Sequence, residues 1–194
     1  MSNAGRTVYV IGAGIGGLTL ALALAKFGVT VVVLERNSEP ATEGAGIQIS
    51  PNAARVLNRL GLGRSLRSAA FGPDAIDIYP FRREKPLVSL TVGKSAEAKF
   101  GAPYWVVHRA ELAKILHQAC RRFANIDIRF GVRAVDMNTH ARGLSLIFED
   151  ASGETRTVRP FAAVGADGVN STIRTEVLGG PGAEYSGIVA WRVM

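Results

Sequence analysis

A long apolar stretch that carries four glycines within residues 12–17 constrains this chain more than any other feature. Residues 8–37 read VYVIGAGIGGLTLALALAKFGVTVVVLERN, and no charged side chain occurs between Thr7 and Ala25. That run is long enough for a membrane span or an export signal. The glycines argue against a spanning helix, because each costs up to about 1 kcal/mol relative to alanine in a helix interior. Arg6 is the only basic residue before the run, whereas an export signal prefers a positive start, so we interpret the stretch as part of a folded domain.

The stretch divides into a strand, a helix and a second strand. Thr7 to Ile11 is rich in β-branched and aromatic residues and predicts a short buried strand. Ile15 to Phe27 is rich in alanine and leucine and predicts a helix, which Gly28 ends as a C-cap glycine. The segment VTVVVLE predicts a second strand, and its continuous apolar character is typical of a parallel sheet covered on both faces. Together they predict one βαβ unit.

The turn of this unit matches the dinucleotide-binding fingerprint Gly-x-Gly-x-x-Gly. Gly12 permits the sharp turn, Gly14 lets a diphosphate approach the backbone, and Gly17 lets the helix pack on the strand. The helix N-terminus offers unpaired N–H groups to the phosphates. Glu35, 18 residues beyond Gly17, stands where an acid binds ribose hydroxyls. A purely structural glycine turn is the competing interpretation, but the strand before, the helix after and the spacing of the acid favour a nucleotide site.

Composition narrows the classes of function. The 194 residues carry a net charge of +7, but the basic side chains are scattered and form no run interleaved with aromatics, so we predict no nucleic-acid partner. The single cysteine, Cys120, excludes an internal disulfide and lies on an apolar helical face. His108, His117 and His140 lack metal-ligand spacing, so we predict no metal site. Without an export signal or membrane span, we expect a cytoplasmic protein.

The middle of the chain alternates strands and helices. Ile47 to Ser50 predicts a strand, and Pro51 starts a helix that runs to about Leu60. Two weaker strands are predicted near residues 75–79 and 87–92. The segment PYWVVHR predicts another strand, which leads into an amphipathic helix from about Arg109 to Arg122.

The last third of the chain has a different pattern. The segments VRAVDMN, LSLIFED and TRTVR are short alternating strands and predict an antiparallel meander. PFAAVGADGVNSTIR then predicts an apolar strand, a tight turn and a helix capped by Asn170 or Ser171. A crossover built from a meander within a doubly wound sheet differs from a plain NAD-binding domain.

Four motifs cover nearly the whole chain in a specific order: GAGIGG…ER, GAGIQISPNA, VHRAEL and VGADGVNSTIR. In these motifs the chain resembles the FAD-dependent aromatic-ring monooxygenases of the para-hydroxybenzoate and salicylate hydroxylase type, and it is also similar to the 6-hydroxynicotinate 3-monooxygenases. The resemblance implies an α/β fold. Its parts are a Rossmann-like FAD-binding domain with a parallel sheet, an antiparallel β-meander crossover, and the start of a substrate-domain sheet.

The resemblance also implies which residues bind FAD. Glycine-loop residues would hold the diphosphate, Glu35 and Arg36 the adenosine ribose and adenine edge, and Ala134 would contact adenine through its backbone. Arg109 matches a family arginine that reaches the phosphate and ribityl region, and Asp167 matches a motif said to serve both FAD and the pyridine nucleotide. The implied cofactor-binding residues are Gly12, Gly14, Ile15, Gly17, Glu35, Arg36, Ile47, Arg109, Ala134 and Asp167.

Simpler roles remain open for three of these residues. Arg109 could cap its helix or pair on the surface, Asp167 could brace its own turn, and Arg36 could be an exposed charge. Arginine does suit bidentate phosphate recognition, and Asp167 stands on a strand-to-helix turn of the kind that faces a ligand crevice.

Two departures from the family pattern bear on the substrate side and on domain organisation. In the hydroxynicotinate-type proteins that this chain resembles, the position of Gln48 holds a histidine that looks like a catalytic base. Glutamine takes up no proton at neutral pH. The family's later Gly-Asp motif is absent, because the chain contains no Gly-Asp pair. We therefore expect residues 1–194 to be an FAD-binding domain interleaved with the first substrate-domain strands, near 72–104 and 183–194, with the carboxy-terminal half absent.

For the full-length form, the resemblance implies an NAD(P)H-dependent monooxygenase that hydroxylates a small aromatic acid with molecular oxygen through a flavin hydroperoxide. The catalytic residues are not identified by the sequence. Two alternatives stay open: a non-catalytic or split FAD-binding fragment that needs its missing half, and an NAD-dependent Rossmann dehydrogenase. Exposed sheet edges would also favour a homodimer or other self-association.

Overall fold

The predicted βαβ unit is confirmed, because β1 (Thr7–Ile11) leads into α1 (Ile15–Lys26) and then into β2 (Thr30–Glu35). The computed structural model describes residues 6–40, 44–141 and 143–191. These residues divide into two compact units, the first formed by 6–40 with 116–191 and the second by 44–115.

The first unit contains a parallel sheet with the strand order β11-β1-β2-β7, in which β7 is Ile126–Phe130 and β11 is Ala162–Gly165. The chain runs outward from β1 through β2 to β7 and then returns to place β11 on the other side of β1. Ligands of open α/β sheets bind outside the carboxyl ends of the strands, at the point where the order reverses. Here that point lies after Ile11 and Gly165.

The crossover from β7 to β11 is the predicted antiparallel meander. Its strands are β8 (Arg133–His140), β9 (Gly143–Glu149) and β10 (Thr155–Val158), paired in the order β10-β9-β8. A bulge between Ala134 and Asp136 shifts the register of β8 against β9. A bulge bends its strand and re-aims the neighbouring side chains.

Burial on both faces explains why β1 and β2 are apolar throughout. On one face, Tyr9 stacks on Phe148 of the meander with ring centroids 6.3 Å apart. This face belongs to a core cluster of Tyr9, Val32, Leu34, Val132, Leu146 and Phe148. On the other face, Val10, Val31 and Val33 are completely buried, and α1 contributes Leu18 and Leu22 to the core.

The second unit contains two strand pairs and short helices. β3 (Gly46–Ile49) pairs antiparallel with β6 (Trp105–His108), and β4 (Ala75–Ile78) pairs antiparallel with β5 (Val88–Thr91). The helices are α2 (Pro51–Arg59), α3 (Gly63–Ala69), α4 (Lys94–Phe100) and α5 (Arg109–Cys120). Helix α5 passes in sequence from the second unit into the first.

The sequence did not predict α3 and α4, and two other features differ from expectation. In place of a regular helix after the Gly-Ala-Asp-Gly turn, the chain forms a π-helical turn, Ile173–Val177. Residues 183–191 form no strand, and 192–194 lie outside the described residues, so their role in a substrate-domain sheet stays a prediction. None of the helices within the described ranges is both long enough and apolar enough to cross a membrane.

Candidate cofactor-binding site

The loop between β1 and α1 is held in one conformation by its neighbours. Gly12 has a φ of 108°, a region that favours glycine, and its N–H donates a 2.7 Å hydrogen bond to the carbonyl oxygen of Leu34. A Cβ on Gly12 would overlap the carbonyl oxygen of Ala166, and one on Gly17 would overlap the carbonyl oxygen of Gly12. Both glycines are therefore required by close backbone packing.

Gly14 differs from these two glycines because its missing side chain faces open space. No heavy atom lies within 4 Å of a Cβ built on Gly14, although its φ of −71° suits any residue. Gly14 is the N-cap of α1, no side chain caps this helix, and its first turn contains no acidic residue. The first intrahelical bond is from the N–H of Leu18 to the carbonyl of Gly14, at 3.0 Å. The preceding amides, with Ile15 at the first helical position, can therefore bind an anion that approaches over Gly14.

A cleft of about 150 Å³ lies beside this loop, at the carboxyl ends of the parallel strands. Its walls come from the ends of β1 and β2, from the start of β8, and from the turn that follows β11. The lining residues are Ile11, Gly12, Leu34, Glu35, Arg36, Val132, Arg133, Ala134, Val135, Asp167, Asn170, Thr172 and Ile173. The cleft lies entirely within the first unit, at the reversal of strand order, where a nucleotide is expected.

Glu35 ends β2 and points both carboxylate oxygens at backbone donors. Its Oε2 accepts a 2.8 Å hydrogen bond from the N–H of Ala13, and its Oε1 accepts a 3.0 Å hydrogen bond from the N–H of Asn37. A carboxylate offers about four lone-pair sites. The half-buried Glu35 thus keeps acceptor capacity for ligand hydroxyls in the cleft.

Asp167 lines the cleft and also braces its own turn. Its Oδ1 accepts a 2.6 Å hydrogen bond from the Ser171 hydroxyl, and its Oδ2 accepts a 3.2 Å bond from the N–H of Ile173. The Ser171 oxygen in turn accepts a 3.0 Å bond from the N–H of Arg174, which is the capping type of bond expected of Ser171. The simpler role left open for Asp167 is therefore present in the structure.

Two more of the predicted residues line the cleft, whereas Gly14, Ile15 and Gly17 are not among its lining residues. Arg36 is exposed there, and Ala134 is half-buried in its wall at the β8 bulge. The start of β8 is fixed over the end of β2 by a 2.9 Å bond from the N–H of Val132 to the carbonyl of Glu35. The neighbouring Arg133 pairs with Glu149 at 3.1 Å, so the guanidinium of Arg36 is the less constrained of the two in the wall.

Three predicted residues belong to the second unit and not to this cleft. Ile47 is half-buried and Gln48 is exposed on β3, where they pair with Val107 and Val106 of β6. Arg109 starts α5, and its N–H donates a 3.2 Å bond to the carbonyl of Ala45. A Cβ on Gly44 would lie only 3.0 Å from the Cβ of Arg109, so the glycine leaves room for the arginine stem. A cofactor role for Ile47, Gln48 and Arg109 stays a prediction.

Several cleft residues were not singled out from the sequence. They are Ile11, Leu34, Val132, Arg133, Val135, Thr172 and Ile173. The one available signal was Gly131 between β7 and β8, which has a φ of 68° and donates a 2.8 Å bond to the carbonyl of Asn37. That turn brings β8 back over the end of β2.

Cys120 lies in the core and does not line the cleft. Cys120 is buried, its Sγ lies 3.6 Å from the carbonyl of Leu18, and burial raises the pKa of its thiol to about 12. This thiol is part of the core, as expected. Within 6–40, 44–141 and 143–191, no cluster of three or more His, Cys, Asp or Glu side chains could hold a metal ion.

Comparison with protein families gives one match that spans almost the whole chain. The family model described as the FAD binding domain matches residues 6–194. Among curated proteins, the chain is 33% identical to 3-hydroxybenzoate 6-hydroxylase 1 from Aquipseudomonas alcaligenes, over 95% of this chain and 46% of that protein. It is 31% identical to 6-hydroxynicotinate 3-monooxygenase from Pseudomonas fluorescens, over 96% of this chain and 47% of that protein. The chain thus spans about half the length of these relatives.

Solved structures agree on the fold. The chain superimposes on 2-methyl-3-hydroxypyridine-5-carboxylic acid oxygenase with a TM-score of 0.73 and 29% identity, covering 89% of this chain and 42% of that one. The flavin-dependent monooxygenase PieE, solved with FAD and substrate, gives a TM-score of 0.77 at 21% identity, covering 90% of this chain and 32% of that one. At that lower identity the likeness concerns the fold alone.

Proposed function

We propose that this chain, which belongs to the FAD-binding domain family, binds FAD through the cleft of its first unit and serves an NAD(P)H-dependent monooxygenase that acts on a small aromatic acid. The observation that carries the FAD assignment is the contrast between the glycines of the loop. Backbone atoms occupy the space beside Gly12 and Gly17. The space beside Gly14 is open, next to the unpaired amides at the start of α1. The open space beside these amides fits the approach of a diphosphate.

The chain's own residues would divide the cofactor between them. The amides at the start of α1 would bind the diphosphate over Gly14, and the remaining acceptor capacity of Glu35 would bind ribose hydroxyls. The backbone of Ala134 and the exposed Arg36 line the part of the cleft assigned to adenine. When bound, FAD supplies hydride acceptance from NADH or NADPH and the activation of oxygen for transfer to an aromatic ring.

The substrate class rests on the relatives. Proteins named 3-hydroxybenzoate 6-hydroxylase and 3-amino-4-hydroxybenzoate 2-monooxygenase are 31–35% identical to this chain. We propose a hydroxylated aromatic acid as the substrate, with Gln48 on the substrate side. Because glutamine is no base at neutral pH, the substrate's own ionised phenol would activate the ring. We also propose a cytoplasmic location, where NAD(P)H is available.

The alternatives are separated by family membership and by length. The alternative prediction of an NAD-dependent dehydrogenase is wrong, because the family that matches residues 6–194 is an FAD-binding one. A split or non-catalytic fragment remains the second candidate, since the chain covers only 46% of the length of 3-hydroxybenzoate 6-hydroxylase 1. That residues near 72–104 and 183–194 are the first strands of a substrate domain, and that the protein forms a homodimer, stay predictions.

Two measurements test the proposal. The purified chain is incubated with FAD, freed of excess cofactor, and examined for flavin absorbance and for quenching of flavin fluorescence. We expect stoichiometric FAD in the wild type and clearly less in Gly14→Ala, and a colourless wild-type product would refute the assignment. NADH and NADPH oxidation with 3-hydroxybenzoate then tests catalysis. Turnover by the chain alone would eliminate the split-fragment candidate.

A further inference from the structure

The glycine loop is tied to the end of β2 by two consecutive amides. The N–H of Gly12 donates to the carbonyl of Leu34 at 2.7 Å, and the N–H of Ala13 donates to Oε2 of Glu35 at 2.8 Å. The first bond is backbone to backbone and does not depend on any side chain. The second depends on the Glu35 carboxylate, and it is the only hydrogen bond that the described residues provide to the amide of Ala13.

The Glu35 carboxylate is itself fixed from two sides. Its Oε1 accepts from the N–H of Asn37 while its Oε2 accepts from Ala13, so both oxygens are held before any ligand arrives. The side chain is half-buried at the wall of the cleft. Hydrogen bonds that involve an ionised partner are shorter and stronger than neutral ones. Glu35 is thus a rigid link between the glycine loop and the strand beside it.

We propose that Glu35 is a positioning residue for the phosphate-binding loop, in addition to any contact with ribose. It holds the amide of Ala13 against β2, so that this amide is not offered to the diphosphate and the next amides, from Gly14 onward, are presented instead. The inference rests on the proposed function, because it concerns the same cofactor site.

The substitution Glu35→Ala tests the positioning role. It removes both acceptor oxygens, so the N–H groups of Ala13 and Asn37 lose their partner together. A pure ribose contact and a loop-positioning contact are then distinguished by a ligand without ribose hydroxyls. The probes are ADP and 2′,3′-dideoxyADP, measured by calorimetry on wild type and variant.

We expect Glu35→Ala to weaken the binding of 2′,3′-dideoxyADP by roughly threefold to tenfold, the loss of one net hydrogen bond, and to weaken the binding of ADP by more. In the ligand-free chain, we expect the amide hydrogen of Ala13 to exchange at least about tenfold faster in the variant. The amide of Gly12 is the internal control, since its acceptor is the carbonyl of Leu34 and its protection is retained.

Glu149→Ala is the matched control variant, because Glu149 pairs with Arg133 on the meander and makes no bond to the loop. It should leave the exchange of Ala13 unchanged. Unchanged exchange of Ala13 in Glu35→Ala, or equal affinity of wild type and Glu35→Ala for 2′,3′-dideoxyADP, overturns the proposal. If the wild type binds neither nucleotide, the proposed function fails, while the exchange of Ala13 in the ligand-free chain still decides whether Glu35 holds the loop.

Discussion

The hydroxyl of Ser171 donates a 2.6 Å hydrogen bond to Oδ1 of Asp167, across the turn that follows β11. The second oxygen of Asp167 accepts from the N–H of Ile173 at 3.2 Å, so one carboxylate holds both sides of the turn. The same turn supplies part of the wall of the cleft. Bracing the turn and lining the ligand site are therefore two consequences of one side chain.

Asp167→Ala should destabilise the chain even without a ligand. It removes both bonds and leaves the N–H of Ile173, a buried residue, without its acceptor, so we expect the free energy of unfolding to fall by about 2 kcal/mol. Asp167→Asn keeps one acceptor oxygen and should lose less. Urea unfolding of the ligand-free chain measures both changes.

The control for this prediction is the partner hydroxyl. If Ser171 acts through Asp167, Ser171→Ala should cost clearly less in the Asp167→Ala background than in the wild type. Strictly additive losses would show that the two side chains act separately, and full stability of Asp167→Ala would show that the turn does not depend on the carboxylate.

Substitution by alanine should destabilise the chain much more at Gly17 than at Gly14. Gly17→Ala places a methyl group on the carbonyl oxygen of Gly12, and we expect a loss of about 2 kcal/mol or more in unfolding free energy. Gly14→Ala meets no heavy atom within 4 Å, so its cost should not exceed about 1 kcal/mol, which reflects the preference for glycine over alanine at the N-cap.

In contrast to its small effect on stability, Gly14→Ala should strongly weaken the binding of FAD. Its methyl group stands where the diphosphate approaches the backbone, and we expect at least about a tenfold weaker complex in a chain of normal stability. Fluorescence titration with FAD, beside thermal unfolding of the ligand-free variant, makes the comparison. Wild-type FAD affinity in Gly14→Ala would place the phosphates elsewhere.

The sequence predicted the first unit well because its signals are local and mutually consistent. The glycine spacing, the apolar strands and the acid after β2 lie within residues 7–35 and describe one βαβ unit. The meander was equally readable, because β8, β9 and β10 alternate and are separated by turn residues. Five of the predicted residues then line one cleft: Gly12, Glu35, Arg36, Ala134 and Asp167.

The features that the sequence did not predict leave weak local signals or depend on particular side-chain contacts. Helices α3 and α4 have only seven residues each, too short for a helical period to stand out. The π-helical turn Ile173–Val177 comes directly after the Asp167–Ser171 hydrogen bond, a side-chain contact that helix propensity does not encode. The bond from Ala13 to Glu35 joins residues 22 positions apart and became visible only once β1 and β2 were paired.

Ionisation of Cys120 should lower the stability of the folded chain at alkaline pH. Burial raises the pKa of its thiol from 9.0 to about 12, so the folded chain keeps the proton that the unfolded chain releases above about pH 9. The stabilisation from the neutral buried thiol is complete below pH 9 and is lost as the pH rises toward about 12. Urea unfolding at pH 8 and pH 10.5 should show the loss.

Cys120→Ala isolates this contribution from lysine and tyrosine titration. We expect the variant to be less stable at pH 8 by about 1 kcal/mol, from lost packing, and to lose less stability than the wild type between pH 8 and pH 10.5. Iodoacetamide at pH 8 should label the wild type only in urea. Rapid labelling of the native chain, or identical pH profiles for the two proteins, would contradict the buried neutral thiol.

Asn125 closes the carboxyl end of α1 from outside the helix. Its Nδ2 donates to the carbonyl of Ala25 at 3.1 Å and to the carbonyl of Val29 at 2.8 Å. Its backbone carbonyl accepts from the N–H of Val31 at 2.8 Å. Asn125→Ala removes both side-chain bonds, and we expect the unfolding free energy to fall by about 2 kcal/mol.

Asn125→Asp should be worse than Asn125→Ala, because a carboxylate has no hydrogen to donate and would face two carbonyl oxygens at the negative end of the helix dipole. Lowering the pH through the titration of this new carboxyl group should restore part of the loss, since the protonated acid can donate one hydrogen bond. The matched control is Asn138→Ala, whose amide bonds only the exposed Asp136 on the meander and should cost less than about 0.5 kcal/mol. An aspartate variant as stable as the alanine variant at neutral pH would mean that the amide does not hold the end of α1.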